Sequence, residues 1–328
     1  MTTLQISLIK ELKGAKRVAL AGHIRPDGDC IGSCMALYEY LKNNNDAFEI
    51  GQIDIYLEAI GNEFLKLKNT DKINSSFEDT EPYDVFISMD CASVDRLGQA
   101  QKYFIEAKKT INIDHHISND SFADVNHIIA DASSTCEVLF ALFEEEKITK
   151  AIAESLYVGI IHDTGIFKHS NTTKWTMEVA GFLMSKGIEF SKLINETFYQ
   201  KTYMQNQLLG RSLMESFLIL DDKVIISAIK SDVLDFYMAD SGDTDGIIDQ
   251  LRLTKGTEVA VFIYQMGDNQ YKISMRSNGN VNVSEIAIYF GGGGHLRAAG
   301  CTMEGTLDYV INKLIPHIES QLDNIKQR

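Results

Sequence analysis

The chain has 328 residues, 45% of them hydrophobic and 23% charged, which is the composition of a folded globular protein. This length exceeds the usual size of one domain, so we expect two domains. Its 31 basic and 46 acidic residues give a net charge of −15, the wrong sign for a protein that coats long nucleic acid. Neither an apolar run of membrane-spanning length nor a signal-peptide pattern is present, so we expect a cytoplasmic protein without membrane contact.

The first half of the chain alternates apolar segments typical of strands with segments typical of helices. Strands are predicted at 17–21, 85–89 and 110–113. Helices are predicted at about 31–41 and 151–161, and Ser134 or Thr135 suits the cap of another helix. This alternation indicates an α/β domain, in which a mostly parallel sheet has helices on both faces.

The second half has a different pattern. Strands are predicted at 224–229, 259–264 and 271–276, and helices near 243–251, 283–289 and 307–322. A turn at 266–269 indicates that the last two strands form an antiparallel hairpin. We therefore predict a smaller C-terminal α+β domain over 213–328, an N-terminal domain over 1–185, and a helical linker over 186–212. A cleft is expected between the two domains.

Carboxylates and imidazoles follow several of the apolar segments. Asp114, His115 and His116 come at the end of the third predicted strand. The remaining groups of this kind are His23, Asp27, Asp29, Asp90 and Asp163. In an α/β sheet, functional groups are placed at the ends of the strands, so we expect these side chains to lie together.

These side chains suit hard divalent cations, which take oxygen ligands, and the imidazoles favour Mn²⁺ or a similar ion. Two ions about 3.5–4 Å apart need a bridging ligand, usually a carboxylate, and activate the water between them toward hydroxide. The predicted ligands are His23 and Asp27 for one ion, Asp29, His115 and Asp163 for the other, and Asp90 for both. Each segment alone is common as a turn, a cap or a surface pair, and their joint occurrence favours a two-metal site.

In this order, the segments resemble the motifs of the DHH phosphoesterases. The first motif corresponds to 22–33, the second to Asp90, the third to 114–116 and the fourth to 159–165. The glycine run 291–294, with His295 and the following Ala298-Ala299-Gly300, is similar to the DHH-associated domain of that family. The resemblance covers nearly the whole chain.

The resemblance keeps the ligand scheme and implies a role for each residue of the triplet. His115 resembles a metal ligand, and His116 resembles the histidine that contacts the scissile phosphate or protonates the leaving oxygen. Asp114 resembles a carboxylate that orients an imidazole without binding metal. His116 and Asp90 are therefore the predicted catalytic residues. The expected cofactors are two divalent ions, Mn²⁺ first, with Mg²⁺ or Co²⁺ as alternatives.

The resemblance also implies substrate contacts near the C-terminus. A glycine run lets backbone amides approach a phosphate, and arginine recognises phosphate through paired donors. Arg276, His295, Gly292, Gly293 and Gly294 are predicted to hold the terminal phosphate or nucleotide, although an exposed strand-end cation and a flexible turn are the ordinary alternatives. Ser134 is predicted to contact substrate, with a helix cap as its alternative.

The chain lacks the additions of the longer and membrane-bound relatives, so it resembles the compact oligoribonuclease/pAp phosphatase branch. That branch hydrolyses very short RNA oligonucleotides to mononucleotides, and many members convert 3′-phosphoadenosine 5′-phosphate (pAp) to AMP. Relatives that hydrolyse cyclic di-AMP or pApA have the same layout and remain the alternative. A non-catalytic nucleotide sensor is disfavoured because all the predicted ligands are intact. A homodimer is expected by analogy, and long nucleic acid is not an expected partner.

Overall fold

The computed structural model describes residues 6–240 and 242–326. The chain divides into two compact units, Met1–Gln200 and Lys201–Arg328. Each unit encloses its own clusters of buried apolar side chains, as separate domains do. Within the described part of the chain, no helix combines the length and apolar character that crossing a bilayer requires.

The first unit is built on a six-stranded sheet. Its strands are β1 (Arg17–Ala21), β2 (Gln52–Tyr56), β3 (Ile73–Asn74), β4 (Val85–Met89), β5 (Thr110–Asp114) and β6 (Val125–Ile128). Its α-helices are α1 (Leu8–Leu12), α2 (Gly28–Asn43), α3 (Asn45–Phe48), α4 (Gln101–Glu106), α5 (Thr135–Leu142), α6 (Lys150–Asp163), α7 (Lys174–Ser185) and α8 (Phe190–Ile194). Short 3₁₀ segments lie at Asn62–Phe64, Thr70–Lys72, Val94–Ala100 and Glu145–Lys147, and a π-helical turn covers Asn195–Tyr199.

All strand pairs of this sheet are parallel, in the order β3-β2-β1-β4-β5-β6. The chain proceeds outward from β1 in one direction and then returns to β4 on the other side. The loops that follow β1 and β4 therefore diverge, which leaves a crevice at the carboxyl edge of the sheet. The predicted ligands lie in these loops and in the neighbouring ones.

Apolar runs are buried on both faces of this sheet. Leu20 and Ile87 belong to the cluster that includes α2, α5 and α6. Ala19 and Phe86 point to the opposite cluster, which contains Tyr103 of α4. Successive residues of a strand face opposite sides, so a continuous apolar run requires cover on both. The prediction of a mostly parallel sheet with helices on both faces is confirmed.

A glycine brings α6 close to the start of α2. A Cβ atom at Gly159 would lie 2.6 Å from Oδ1 of Asp29 and 2.3 Å from Sγ of Cys136. Any larger residue at this position would force α6 away from α2. Gly159 therefore helps to place the end of α6, where Asp163 lies, near Asp29.

The second unit is α+β, as predicted. Its strands are β7 (Phe217–Ile219), β8 (Val224–Ile229), β9 (Val259–Gly267), β10 (Gln270–Ser277), β11 (Gly293–His295) and β12 (Ala298–Glu304). Its helices are α9 (Tyr203–Met214), α10 (Ser231–Tyr237), α11 (Ile247–Arg252), α12 (Val283–Tyr289) and α13 (Leu307–Lys326), with a 3₁₀ turn at Gly242–Thr244. The sheet order is β11-β12-β10-β9-β8-β7, in which β8 and β9 are parallel and the other pairs antiparallel.

One face of this sheet is covered by an amphipathic helix. Val310, Leu314 and Ile318 recur every fourth residue along α13 and share a buried cluster with Ile273 and Met275 of β10. This spacing places the three side chains on one stripe of the helix. The predicted hairpin is confirmed, because β9 and β10 pair antiparallel across the turn.

The predicted helical linker falls across the boundary between the two units. The α8 helix and the π-helical turn belong to the first unit, and α9 belongs to the second. The segment is helical, but a separate linker over 186–212 stays a prediction. The strands β2, β3, β6, β7, β11 and β12 were not predicted from the sequence.

Candidate metal centre

The predicted ligands come from loops at the carboxyl edge of the parallel sheet, from the first turn of α2 and from the end of α6. His23 lies two residues after β1, and Asp27 is the N-cap of α2. Asp90 directly follows β4, and His115 directly follows β5. Asp163 is the last residue of α6. Separate segments of the chain therefore deliver their polar side chains to one region.

Asp90 lies at the centre of this region and is almost completely buried. Its Oδ2 atom is 3.5 Å from Nε2 of His23. Its Oδ1 atom is 3.6 Å from Nε2 of His115 and 3.6 Å from Nδ1 of His116. The two oxygens of one carboxylate therefore face two different sets of side chains, which is the geometry of a ligand that bridges two cations.

The side chains form adjoining groups around Asp90. In each group, the potential ligand atoms all lie within 4.8 Å of one another, and the groups are His23-Asp27-Asp90, Asp29-His115-Asp163 and Asp90-His115-His116. Nε2 of His115 is 2.9 Å from Oδ2 of Asp163, and Nε2 of His23 is 3.6 Å from Oδ2 of Asp27. The structure thus brings together all six residues predicted to bind metal.

Backbone carbonyls fix the orientation of two of the imidazoles. Nδ1 of His23 lies 2.9 Å from the carbonyl oxygen of Ile24, and Nδ1 of His115 lies 3.3 Å from that of Ala132. When Nδ1–H donates to a carbonyl, the lone pair is left on Nε2, the atom that faces the carboxylates. Metal-binding histidines are commonly held in this way. The imidazoles therefore fit a metal site.

Asp29 has a second role at the start of α5. Its carboxylate is fully buried and accepts hydrogen bonds from the backbone amides of Thr135, at 2.6 Å, and Cys136, at 3.0 Å. These are the first amides of the helix, which lack a partner within the helix. Each carboxylate oxygen keeps a further lone pair, so this contact is compatible with a cation on the other side. Helix α5 thereby holds Asp29 in place.

Asp114 orients His116. Its Oδ1 atom is 2.7 Å from Nδ1 of His116, and its Oδ2 atom accepts a hydrogen bond from Nδ2 of Asn119 at 2.5 Å. Asp114 is fully buried, whereas 42% of the His116 side chain is exposed. The hydrogen bond to Asp114 raises the pKa of His116, while burial opposes the charged form. In this pair, a buried carboxylate fixes the orientation of a partly exposed imidazole.

The electrostatics of the cluster favour positive charge at its centre. Burial raises the pKa of Asp29 well above its ordinary value, and Asp90 and Asp163 raise it further. Burial opposes the charged form of His23, yet hydrogen bonds to its neighbouring carboxylates raise its pKa to about 12. For His115, burial opposes the charged form, but the hydrogen bond to Asp163 and the charges of Asp29, Asp163 and Asp90 together raise the pKa to about 10. Crowded carboxylates of this kind are stabilised by a cation, so the donor set fits divalent metal.

Thr135, which the sequence marked as a possible helix cap, and Asn119, which the sequence did not single out, support the cluster. The hydroxyl of Thr135 donates to Oδ1 of Asp90 at 3.1 Å, and Asn119 holds Asp114. Ser134, which was predicted to contact substrate, is fully buried, and its hydroxyl accepts the amide of Glu137 as the N-cap of α5. Ser134 therefore caps α5, as the alternative prediction has it, and its side chain exposes no surface to a substrate.

The second unit contains the residues predicted to bind substrate. Arg276 lies near the end of β10, where its Nε atom is 3.4 Å from Oδ1 of Asp249 and its Nη1 donates to the carbonyl of Met275 at 3.2 Å. His295 is exposed at the end of β11. β11 pairs with β12, and β12 pairs with β10, so both residues belong to the same part of the sheet.

The glycine run ends a helix and begins a strand. The amide of Gly291 donates to the carbonyl of Ile288 at 3.0 Å, and that of Gly292 donates to Ala287 at 2.8 Å. Gly291 has a φ of +76°, so these contacts form the Schellman cap of α12. Of the glycines predicted to hold the phosphate, Gly292 therefore has its amide already paired within the cap. Gly293 and Gly294 are exposed residues of β11.

Two family models match the chain. The N-terminal domain model of the DHH family matches residues 17–160, and the DHHA1 domain model matches residues 221–326. Each match lies within one structural unit. The first match includes every predicted ligand except Asp163, and the second includes Arg276, the glycine run and His295.

Known proteins are similar along nearly the whole chain. The bifunctional oligoribonuclease and PAP phosphatase NrnA of Thermus thermophilus is 28% identical over 321 residues, covering 96% of this chain and 92% of the relative. NrnA of Bacillus subtilis is 25% identical over 308 residues, covering 92% and 93%. The crystal structure of an exopolyphosphatase-related protein from Bacteroides fragilis has the same fold, with a TM-score of 0.85, 21% identity and coverage of 100% and 99%. The chain therefore contains a DHH domain in its first unit and a DHHA1 domain in its second.

Proposed function

We propose that this chain is a metal-dependent phosphoesterase that hydrolyses very short RNA oligonucleotides to mononucleotides and converts pAp to AMP. The activities named for the two NrnA relatives support this substrate range. The observation that carries the chemistry is the placement of Asp90, whose two oxygens face His23 on one side and His115 with His116 on the other.

Two divalent cations are the proposed cofactors, with Mn²⁺ first and Mg²⁺ or Co²⁺ as alternatives. The proposed holders are His23 and Asp27 for one cation, Asp29, His115 and Asp163 for the other, and Asp90 for both. Such a pair supplies an activated water nucleophile and neutralises charge on the phosphoryl oxygens when it is bound. The mixed oxygen and imidazole donors favour Mn²⁺ over Ca²⁺.

His116 is the proposed proton donor to the leaving oxygen. Its Nδ1 atom is held by Asp114, and its side chain is partly exposed, so Nε2 can reach a substrate. The hydrogen bond to Asp114 raises the pKa of His116, which favours the protonated form that an acid requires. Asp114 acts through His116 and is a positioning residue.

Arg276 and His295 are the proposed phosphate contacts of the second unit. The ion pair of Arg276 with Asp249 is partly exposed, and exposed ion pairs of this kind contribute little free energy. A phosphate can therefore replace Asp249 at low cost and receive paired donors from the guanidinium. His295 is exposed on β11, and Gly293 and Gly294 leave the strand beside it without side chains.

A panel of substrates tests the function. Diribonucleotides, pAp, cyclic di-AMP and pyrophosphate are offered with Mn²⁺ to the wild type, to Asp90→Asn and to Asp124→Asn. Asp124 is a matched control, because its carboxylate binds only the amide and hydroxyl of Thr110 at 2.8 and 2.9 Å. We expect turnover of diribonucleotides and pAp by the wild type and the control, and a loss of at least about 10²-fold in Asp90→Asn. If the wild type prefers cyclic di-AMP, the alternative function replaces this one. Equal rates for the wild type and Asp90→Asn would contradict the two-metal scheme.

The remaining expectations concern partners and location. We propose that substrates stay short, because the net charge of −15 repels a long polyanion. This predicts that turnover falls as the RNA is lengthened in the same assay. A homodimer stays a prediction from the family resemblance, which sedimentation analysis at micromolar concentration would test, and a cytoplasmic location stays a prediction from the sequence pattern.

A further inference from the structure

Two of the three described arginines that lack an ion pair lie next to predicted site residues. Four arginines form ion pairs with carboxylates, and they are Arg17, Arg211, Arg252 and Arg276. The others in the part of the chain that the structure describes, Arg25, Arg96 and Arg297, form none. In a chain with 46 acidic and 31 basic residues, a guanidinium without a carboxylate is unexpected. Arg25 lies between His23 and Asp27, and Arg297 follows His295 by two residues.

Arg25 and Arg96 belong to neighbouring loops at the carboxyl edge of the first sheet. Arg25 lies in the loop after β1, and Arg96 lies in the 3₁₀ segment after β4. The amide of Ile24 donates to the carbonyl of Arg96 at 2.8 Å, so the two loops are hydrogen-bonded to each other. These loops border the crevice where the strand order reverses, which is where open α/β sheets bind their ligands. Both side chains are exposed.

Two carboxylates close to Arg25, those of Glu58 and Asp27, are engaged elsewhere. Glu58 accepts the backbone amide of Arg25 at 2.7 Å, and no ion pair joins the two described side chains. Asp27 directs Oδ2 toward His23 at 3.6 Å and Oδ1 toward the first amides of α2 at 3.1 Å. The guanidinium of Arg25 is therefore not neutralised by these groups.

The backbone of Arg25 is unusual for a long side chain. Its φ is +54°, in the left-handed region that glycine and asparagine adopt more readily. Either of those residues would fit the loop with less strain. The presence of arginine at such a position, beside two predicted metal ligands, points to a requirement for its positive charge.

We propose that Arg25 and Arg96 bind a second phosphate of the substrate, next to the scissile one. This proposal rests on the proposed function and deepens it, because it selects substrates that carry more than one phosphate. Cations held by the carboxylates offset the charge of the scissile phosphate only. Another phosphate near the acidic cluster needs its own positive partners, and arginine supplies planar, paired donors for its oxygens.

A pair of dinucleotides separates the second phosphate from the scissile one. ApA has a single phosphodiester, and pApA has an additional 5′-phosphate. In the double variant Arg25→Asn/Arg96→Gln, we expect KM for pApA to rise at least about tenfold, while kcat and the kinetics of ApA stay within about twofold. Asparagine keeps the left-handed backbone, so the fold is preserved. Arg25→Lys should retain part of the preference for pApA because it retains the charge.

Several controls make the comparison specific. Arg211→Gln removes an exposed arginine whose partner is Glu215, and it should change neither substrate. Arg276→Ala is measured in parallel, since it is the proposed phosphate contact of the second unit. Mn²⁺ binding, followed by electron paramagnetic resonance without substrate, should be equal in the wild type and the double variant. The proposal would be overturned if the double variant lost the same activity on ApA as on pApA. It would also be overturned if only Arg276→Ala reduced the preference for pApA.

A direct binding measurement keeps the two proposals separable. If the wild type hydrolyses neither dinucleotide, the proposed function fails, and the arginines are tested by calorimetric titration with inorganic phosphate. The double variant should then bind phosphate at least about fivefold more weakly than the wild type and Arg211→Gln. Equal affinities of the three proteins for phosphate would contradict the proposed arginine site, whichever substrate the enzyme uses.

Discussion

Asp90 combines a strained backbone with a buried charge. It has a φ of +54°, and such a conformation costs about 1–3 kcal/mol for a residue other than glycine. Its side chain is buried among three imidazoles and the hydroxyl of Thr135. Strain and buried charge both lower stability, so their coincidence at one residue agrees with the proposed role of Asp90 as a metal ligand.

The pair of Asp114 and His116 gives the first prediction. Asp114→Asn should lower kcat about 10–100-fold while Mn²⁺ affinity is unchanged, because Asp114 orients His116 and is not itself a predicted metal ligand. An asparagine has a single side-chain oxygen, so it can accept from His116 or from Asn119 but not from both. Steady-state kinetics and Mn²⁺ titration measure the two effects. The matched variant Asp124→Asn should change stability only, and a joint loss of kcat and metal binding in Asp114→Asn would contradict the positioning role.

His127 gives a prediction about pH. It is buried in β6, its Nδ1 atom has no hydrogen-bond partner in the described structure, and burial lowers its pKa. The unfolded chain therefore binds a proton more readily below about pH 6.5, and stability falls from that pH toward the lower pKa of the folded state. His127→Gln should weaken the difference in unfolding free energy between pH 7.5 and pH 5.5, measured with urea. An identical difference in both proteins would exclude His127 as the cause.

At the scale of elements, the sequence predicted best where a single strong pattern decides the structure. β1, β4 and β5 are continuous apolar runs, and such runs indicate strands buried on both faces. β2 was missed because Gln52–Tyr56 alternates polar and apolar residues over only five positions and includes Asp54. The two-residue strand β3 is defined by its pairing with Ile55 and Tyr56 of β2, which no local pattern contains.

Prediction of the candidate metal centre from the sequence has the same limit, because local patterns do not contain the packing of distant segments. The residue types and their positions at strand ends predicted which side chains meet, because parallel strands share a carboxyl edge. The roles of Ser134 and Thr135 were not separable in this way. Which of two adjacent hydroxyls caps α5 and which one reaches Asp90 depends on the direction in which α5 starts, and packing against α2 and α6 decides that direction.

The glycine run gives a prediction at this scale. A Cβ atom at Gly292 would lie 2.2 Å from the carbonyl oxygen of Gly300, whereas one at Gly293 meets nothing within 4 Å. Gly292→Ala should therefore destabilise the protein by about 1–3 kcal/mol, because β11 must move away from β12. Gly293→Ala should stay within about 0.5 kcal/mol of the wild type in urea unfolding. A raised KM in the stable Gly293→Ala variant would support close approach of a phosphate, and equal destabilisation of both variants would contradict the steric argument.

At the scale of the whole molecule, the chemistry is divided between the two units. The carboxylates and imidazoles that fit metal lie in the first unit, and the glycine run with Arg276 and His295 lies in the second. The net charge of −15 opposes the binding of a nucleotide phosphate at long range. Cations in the first unit and the few arginines without ion pairs are then the local charges that can offset this repulsion.

This division predicts where metal stabilises the protein. At a Mn²⁺ concentration 100 times the dissociation constant, binding should add about 2.7 kcal/mol to the stability of the folded state. Hydrogen exchange should show increased protection at 22–29, 90–93, 114–116 and 160–164, because cations remove the mutual repulsion of the carboxylates there. Strands β9 and β10 should keep the same protection. Asp90→Asn should abolish the response, Asp124→Asn should retain it, and a response centred on the second unit would contradict a metal site built from the first unit alone.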